Sequence, residues 1–220
     1  IRSGYYSSSS DFVLNNITVN IAYGVRAKST WLNFTEDTTE SVTIPNEFRY
    51  GVVKNTNTST IYTSFSSAIS AASTNNVLNV WAWDYNENVV IEKGVTIVGN
   101  STSTSKINGG TGDYTIEVKS HGVTIKNLTL NGATDSILYA GNYNNLNVEN
   151  VIMSASSSDY GIYFDRTKQT TITSVTVNDT DRKSVYITDG DTITFKDSSF
   201  MNSSSSHGFE ISDSEDIILD

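Results

Sequence analysis

The sequence lacks several features that would define other classes of protein. It contains no cysteine, which excludes a disulfide framework and metal sites built from thiolates. Lys and Arg together number 14 against 24 Asp and Glu, so the formal net charge is −10. This charge argues against nucleic acid or an anionic membrane surface as a partner, because both are held by basic patches. No apolar run approaches the roughly 18 residues of a membrane-spanning helix, so no membrane span is predicted.

Uncharged polar residues dominate what is present. Hydrophobic residues make up 37% of the chain, which allows a buried core, and Ser, Thr and Asn are abundant throughout. An acidic surface rich in hydroxyl groups is typical of an extracellular or cell-surface protein, or of one that binds cations. The sequon N-x-S/T marks candidate glycosylation sites, although a chain of this composition produces many sequons by chance. The candidates are Asn16, Asn33, Asn57, Asn100, Asn178 and Asn202, with a further sequon at Asn127.

The strongest pattern is an internal repeat of 23–24 residues. The stretch GVTIKNLTL recurs in later segments as NLNVENVIM, QTTITSVTV, DTITFKDSSF and EDIILD. A second apolar strand precedes each of these segments by about eight residues and keeps the same period. The aligned inward positions are Ile97, Ile125, Val148, Ile172, Phe195 and Leu219 in one strand, and Val118, Ala140, Phe164, Ile187 and Ile211 in the other.

The repeat predicts an all-β fold, a parallel β-helix with coils of about 23–24 residues. Apolar and polar residues alternate within each strand, as in a sheet with one buried face. A unit of this length cannot bury its own apolar face, whereas stacked units can, with equivalent strands parallel and about 4.8 Å apart. Small polar residues at the bend after each central strand predict a ladder of stacked side chains. These bend positions are Gly99, Asn127, Asn150, Ser174 and Asp197.

A short helix is predicted just before the first coil. Residues 64–73, SFSSAISAAS, place four apolar side chains on one face, with Thr63 or Ser64 as the N-cap. A helix at this point would cover the apolar surface that the first coil of a solenoid exposes. Its apolar face consists of Phe65, Ala68, Ile69 and Ala72.

The N-terminal part differs from the rest. Residues 1–62 contain strand-like runs without the repeat and predict a β-rich segment or small module, so the β-helix is assigned to residues 63–220. Asp220 falls within a coil, and we expect that coil to be completed by more chain or by another subunit. The resulting hypothesis is a homo-oligomer or filament in which residues 1–62 contact the open C-terminal coil.

The motifs AISAAS, NVWAW, DYNENVVIEKGVTIVGN, KINGG and HGVTIKNLTL follow one another between Phe65 and Ala133. In this order they resemble the entry of the pectate-lyase-like superfamily of right-handed parallel β-helices, in particular its NosD-like and archaeal cell-surface branch. The resemblance covers roughly residues 60–220 and implies right-handed coils. It implies little about activity, because lyases, hydrolases, adhesins and surface-layer proteins share this fold.

The outward positions predict no catalytic residue. Enzymes of the superfamily use aspartates that hold calcium beside an Arg or Lys, or a cluster of aspartates that act as acid and base. No outward column of the two predicted strands contains a run of Asp or places an Arg beside two carboxylates. The column before the bend reads Glu117, Tyr139, Tyr163, Tyr186 and Glu210.

The three tyrosines in this column, Tyr139, Tyr163 and Tyr186, are the most informative surface feature. Tyrosine offers apolar area and a hydroxyl group together, which suits a sugar ring or a subunit interface. A third interpretation is an ordinary cross-strand aromatic ladder beneath a loop.

Two loops carry further candidates. Asp189 and Asp191 in TDGDT are candidate calcium ligands, or else parts of a polar turn around Gly190. The segment DTDRKS concentrates charge around Arg182 and is either a solvated loop or a source of a catalytic group.

The histidines do not predict a metal centre. His121 and His207 lie over three coils apart by the repeat, so they cannot share one metal ion. With two methionines and no cysteine besides, the ligands are too few for a NosD-like copper role.

These observations favour a non-enzymatic extracellular structural protein of a cell-surface layer, filament or adhesin, without an obligatory cofactor. The alternative is a β-helix protein that binds or degrades polysaccharide through the tyrosine column.

Overall fold

The structure, a computed structural model, describes residues 53–154, 158–201, 204 and 208–220. All of them belong to the larger of the two units into which the chain divides, Thr43–Asp220. The predictions for residues 1–52 lie outside the described residues, and the proposed boundary at residue 62 stays a prediction. No helix in the described part of the chain is long and apolar enough to cross a membrane.

Two sheets, built mainly of parallel strands, lie among the described residues, with one short helix near the start. The helix is α1 (Phe65–Ala71). The first sheet contains β1 (Val53–Asn55), β2 (Thr60–Tyr62), β3 (Val77–Val80), β4 (Trp83–Asn86), β6 (Thr96–Gly99), β7 (Ser105–Asn108), β9 (Thr124–Asn131), β11 (Asn147–Ser154), β13 (Lys168–Asn178), β15 (Asp191–Lys196), β16 (Ser199–Phe200) and β18 (Glu215–Leu219). The second sheet contains β5 (Val89–Ile91), β8 (Tyr114–Val118), β10 (Ser136–Gly141), β12 (Tyr160–Asp165), β14 (Lys183–Thr188) and β17 (Phe209–Ser212).

Both predicted registers are confirmed. In the first sheet, parallel pairing runs from Leu78 through Ile97 and Ile125 and continues in register to Leu219. In the second sheet, Ile91 begins an equivalent series that continues in register to Ile211. The inward side chains therefore pack on their equivalents in the next coil, and these stacks form the core of a right-handed parallel β-helix. The last predicted inward positions are the exception, because Ile211 is 41% exposed and Leu219 63% exposed, with no further coil described beyond them.

The long strands bend at residues with left-handed backbone geometry. Asn127, Asn150, Ser174 and Asp197 all have φ between 49° and 59°, as predicted for the bend positions. The bend lets the two halves of β9, β11 and β13 line different sides of the coil. The predicted side-chain ladder is present here as one hydrogen bond, from Nδ2 of Asn150 to Oδ1 of Asn127 at 3.0 Å.

Gly99 is the exception in the bend series, because its φ is not positive. A Cβ atom on Gly99 would overlap the backbone carbonyl of Asn127 in the next coil. Close approach of two backbones, rather than left-handed geometry, therefore requires glycine at this position.

The predicted helix is confirmed as α1, with the side chain of Ser64 accepting a hydrogen bond from the N–H of Ser67. The four side chains of its predicted apolar face are at most 3% exposed. Before it, β1 pairs antiparallel with both β2 and β3, so the parallel stack ends at β3 among the described residues.

Candidate functional site

The outer surface of the second sheet carries a run of tyrosines. The predicted column is confirmed, since Tyr139, Tyr163 and Tyr186 lie in register between Glu117 and Glu210. The side chains of this column are half-buried, so each ring keeps part of its surface in contact with solvent.

Two further tyrosines extend the column sideways. Tyr114 and Tyr160 occupy the neighbouring outward register position, two coils apart. The ring of Tyr114 stacks on Tyr139, with centroids 4.4 Å apart and planes 12° apart. We call Tyr114, Tyr139, Tyr160, Tyr163 and Tyr186 the tyrosine face.

The remaining rings of the tyrosine face are also in contact. Tyr163 lies 5.2 Å from Tyr139 and 5.1 Å from Tyr186, measured between ring centroids. Tyr160 lies 5.5 Å from Tyr163 and stacks on Tyr186 at 5.4 Å. The five rings therefore form one continuous aromatic surface along the axis of the β-helix.

Tyr114 and Tyr160 were missed by the sequence prediction, which followed one outward column only. Both begin their strands, three residues ahead of Glu117 and Tyr163 in the column. The signal was present in the 46-residue separation of the two tyrosines, which equals two coils.

A stack of aspartates borders the tyrosine face. Asp113, Asp135 and Asp159 lie one residue ahead of the first residues of β8, β10 and β12, and Arg182 takes the equivalent position ahead of β14. Backbone hydrogen bonds connect this series, with Asp135 N–H donating to Asp113 O and Arg182 N–H to Asp159 O, each at 3.0 Å. The sequence prediction followed only the outward column from Glu117 to Glu210 in this sheet, so it did not find this stack.

Arg182 forms an ion pair with a residue of the previous coil. Its Nη1 atom lies 3.2 Å from Oδ2 of Asp159 and 3.3 Å from the hydroxyl of Tyr160. The predicted charge cluster in DTDRKS therefore connects to the previous coil and to the tyrosine face.

Three more ion pairs line the same surface. Lys119 lies 2.9 Å from Glu117, Arg166 2.6 Å from Asp165, and Lys183 2.8 Å from Glu210. Among the described residues, neither Asp113 nor Asp135 forms an ion pair, although the charge of Arg182 partly offsets that of Asp135.

Burial and these carboxylates affect the ionisation of the site. Desolvation, followed by the charges of Asp159 and Asp113, raises the pKa of Asp135 above its ordinary range. Desolvation, followed by the charge of Asp135, raises the pKa of Tyr114 to about 12. The environment of this end of the face therefore disfavours negative charge.

The calcium candidates do not gather a ligand set. Asp191 accepts a hydrogen bond from Thr192 and forms an ion pair with Lys168 at 3.1 Å, which places a cation where calcium would bind. Asp189 accepts a hydrogen bond from the neighbouring hydroxyl of Thr188. No group of three or more His, Asp or Glu able to hold a metal occurs within the described ranges. The calcium site stays a prediction.

Three of the predicted glycosylation sites lie within the described residues. Asn57 and Asn100 are exposed and Asn178 is half-buried. The side-chain oxygen of Asn57 accepts a hydrogen bond from Val77 N–H at 2.8 Å. Asn16, Asn33 and Asn202 lie outside the described residues, and glycosylation stays a prediction for all six.

The coils, their registers and the aromatic outer surface define the protein as a right-handed parallel β-helix with one aromatic face. The sequence profile of the family described as periplasmic copper-binding protein (NosD) matches residues 93–220. This match covers more than half of the chain, and the protein belongs to that family.

Solved structures show distant similarity. One is a provisionally assigned glycosyl hydrolase from Parabacteroides merdae ATCC 43184, with 16% identity and a TM-score of 0.42 over 67% of this chain and 78% of that chain. Another is a pectin methylesterase in complex with hexasaccharide VII, with 12% identity and a TM-score of 0.49 over 72% of this chain and 62% of that chain. Similarity at this level does not support a function. Among curated proteins, none matches the chain.

The described residues do not fit a copper site. His121 already accepts a hydrogen bond at Nδ1 from Asn144 N–H, at 3.0 Å, and its ring packs against Tyr143. Met153 is fully buried in the core, and Met201 is 47% exposed. Since the described part of the chain brings no set of soft or imidazole ligands together, we derive no copper chemistry from it. His207 lies outside the described residues.

Proposed function

We propose that this protein binds a glycan on the tyrosine face and acts outside the cytoplasm. The observation that carries the proposal is the continuous contact of five tyrosine rings on one exposed sheet surface. Each ring presents an apolar surface for the carbon-bound hydrogens of a sugar and a hydroxyl group for hydrogen bonding.

The setting of the rings supports this role. They stand on parallel strands whose inward neighbours, such as Ile116, Leu138 and Ile162, are fully buried. A rigid sheet holds aromatic side chains with little further loss of conformational freedom on binding. The elongated shape of the tyrosine face suits a chain of sugar units more than a single compact ligand.

The location outside the cytoplasm rests on composition and family. The sequence contains no cysteine, is acidic and is rich in hydroxyl groups, and the family that it belongs to is described as periplasmic. Composition and family both favour a location outside the cytoplasm.

Binding of the full chain to a panel of soluble polysaccharides and oligosaccharides tests the proposal. Tyr139→Ala combined with Tyr163→Ala should weaken binding about tenfold or more, since aromatic anchors at the centre of a site carry much of the binding energy. Tyr143→Ala, which removes a tyrosine outside the face, is the matched control and should change affinity little. Binding that is equal in both variants would contradict the proposal.

Two further measurements on the same samples separate the other interpretations. Loss of a homo-oligomer in the double variant, without any glycan binding by the parent, would make the tyrosine face a subunit interface. Release of reducing ends or unsaturated uronates by the parent would show that the protein also cleaves the glycan that it binds.

The predicted surface-layer, filament or adhesin role stays a prediction. Most of residues 1–62, on which the predicted subunit contact depends, lies outside the described residues.

A further inference from the structure

The tyrosine face contains the same ring arrangement twice. Tyr114 and Tyr139 form one stacked pair, on β8 and β10, and Tyr160 and Tyr186 form the other, on β12 and β14. The parallel registers show that the second pair is the first pair shifted by two coils. The surroundings of the two pairs can therefore be compared position by position.

The side chains of Lys183 and Arg182 lie against the rings of the second pair. Nζ of Lys183 lies 4.5 Å from the ring centroid of Tyr186 and 5.9 Å from that of Tyr160. The guanidinium carbon of Arg182 lies 5.7 Å from the ring centroid of Tyr160. These distances are those of cation–π interactions, in which the negative face of an aromatic ring attracts a positive charge.

The first pair has a hydroxyl group and a carboxylate where the second has cations. Ser136 takes the register position of Lys183, and Asp135 takes the position of Arg182. No Lys or Arg in the described part of the chain lies over the ring of Tyr114 or Tyr139. Desolvation, and after it the charges of Asp135, Glu117 and Asp113, raise the pKa of Tyr114, so these carboxylates lie near its ring.

An open depression adjoins the first pair. Its volume is about 270 Å³, and Asp113, Tyr114 and Glu117 line it together with Asn88, Val90 and the backbone of Gly112. Tyr114 and Glu117 thus belong both to the outward columns and to the wall of this depression. This depression provides room for a ligand beside the stacked rings of Tyr114 and Tyr139.

We propose that the Tyr114–Tyr139 pair, bordered by Asp113 and Asp135, binds an ammonium group of the ligand. The ligand cation takes the place that Lys183 and Arg182 fill at the second pair. This inference rests on the proposed function: if the ligand is a glycan, it carries free amino groups, as in an oligomer of glucosamine, and it is not a polyuronate.

Charge supports this choice of glycan. Four of the carboxylates near the face are neutralised by ion pairs, those of Glu117, Asp159, Asp165 and Glu210. The carboxylates of Asp113 and Asp135 form no ion pair among the described residues, and the chain carries a net charge of −10. A polyuronate would meet like charge along the face, whereas a protonated amine would find compensating charge and an aromatic surface together.

The test compares three oligomers of equal length at a pH at which amines are protonated. They are a glucosamine oligomer, its fully N-acetylated counterpart and a galacturonate oligomer, titrated against the full chain. We expect the free-amine oligomer to bind about tenfold more tightly than the N-acetylated one. The galacturonate oligomer should bind most weakly.

Two variants with the same change in charge test whether the preference for the free-amine oligomer arises at the Tyr114–Tyr139 pair. Asp135→Asn should reduce the preference for the free amine to about twofold or less, as expected when a carboxylate beside a bound cation is removed. Glu149→Gln removes one exposed carboxylate from β11 of the first sheet and should leave the preference unchanged. An equal loss in both variants would show attraction by net charge alone and would overturn the inference.

The outcomes separate the inference from the proposed function. Tight binding of the N-acetylated oligomer, lost in Tyr139→Ala but without any preference for the free amine, would overturn the ammonium site and leave glycan binding intact. Failure of all three oligomers to bind overturns the glucosamine assignment. Binding of another glycan from the wider panel would then still support the proposed function.

Discussion

Nδ2 of Asn131 donates a hydrogen bond to Oδ1 of Asn108 in the preceding coil, with 2.9 Å between the two atoms. Asn108 in turn donates to Oδ1 of Asn86, one coil further back, at 3.1 Å. This asparagine ladder lies at the ends of β4, β7 and β9, away from the bend positions at which a ladder was predicted. It connects three coils through side chains as well as through backbone.

Replacement of Asn108 by Ala should destabilise the protein by about 1–2 kcal/mol, because it removes both hydrogen bonds of the central rung. Chemical denaturation followed by circular dichroism measures the change. Asn147→Ala is the control, since Asn147 faces outward on β11 and its side chain makes no hydrogen bond within the described residues. Equal effects of the two substitutions would show that the ladder contributes nothing specific.

Gly99→Ala should destabilise the protein by about 1–3 kcal/mol through overpacking, because a Cβ atom at this position overlaps the backbone of Asn127. Thermal unfolding gives the measurement. Gly208→Ala provides the comparison, since no heavy atom of the described residues lies within 4 Å of a Cβ built there. A Gly99→Ala variant as stable as the parent would mean that the adjacent coils can move apart at this position without loss of stability.

Lys93→Met should destabilise the start of the β-helix by about 1–2 kcal/mol. Nζ of Lys93 donates to the carbonyl oxygens of Ser70 and Ala72, both at 2.6 Å, and so satisfies groups at the C-terminal end of α1. Methionine keeps the length of the side chain but removes the donor and the charge. Hydrogen exchange of the α1 amides detects the local loss.

Lys106→Met is the control for that experiment. Lys106 lies 3.9 Å from Asp84 in an exposed ion pair, which contributes little to stability. Faster exchange in α1 of both variants would refute a specific role for Lys93.

Asp135→Asn should stabilise the protein at neutral pH by less than about 1 kcal/mol, since solvent screens a half-exposed group. Burial and the charges of Asp159 and Asp113 raise the pKa of Asp135 in the folded state, so the folded state binds this proton more tightly than the unfolded state. Stability therefore falls as pH rises from the ordinary value of 3.8 through the raised pKa. Asparagine carries no charge and avoids this loss.

Thermal unfolding of parent and variant across this pH range measures the effect. The gain should be present at neutral pH and absent below pH 3.8. Glu149→Gln, which removes an exposed carboxylate from β11, is the charge-matched control. A variant less stable than the parent at neutral pH would show that attraction to Arg182 outweighs burial and repulsion.

Much of the fold was predictable because a solenoid repeats one local arrangement. Each inward residue, such as Ile125, needs only its equivalents one coil before and after, so a period in the sequence becomes a register in space. Helix α1 was predictable for a similar reason, because one apolar face and an N-cap at Ser64 are local signals.

Contacts between turns of successive coils were not predictable in this way. Arg182 was grouped with the acidic residues of its own loop, and its ion pair with Asp159, 23 residues earlier, was not predicted. Tyr114 and Asp135 lie at the starts of strands or just before them, where a periodic pattern of apolar residues marks no boundary. Their proximity depends on how each turn brings the chain into the next strand.

The sequence by itself determined the period, the two inward stacks and the tyrosine column, because burial of apolar side chains at fixed spacing permits only one alignment of the coils. The tertiary structure alone decided which charges meet at the border of that column. Side chains at turns have no buried partner to hold them in register, so their neighbours follow from the path of the backbone around each coil. That path leaves Asp135 beside Tyr114 without the cation that Lys183 supplies to Tyr186 two coils later.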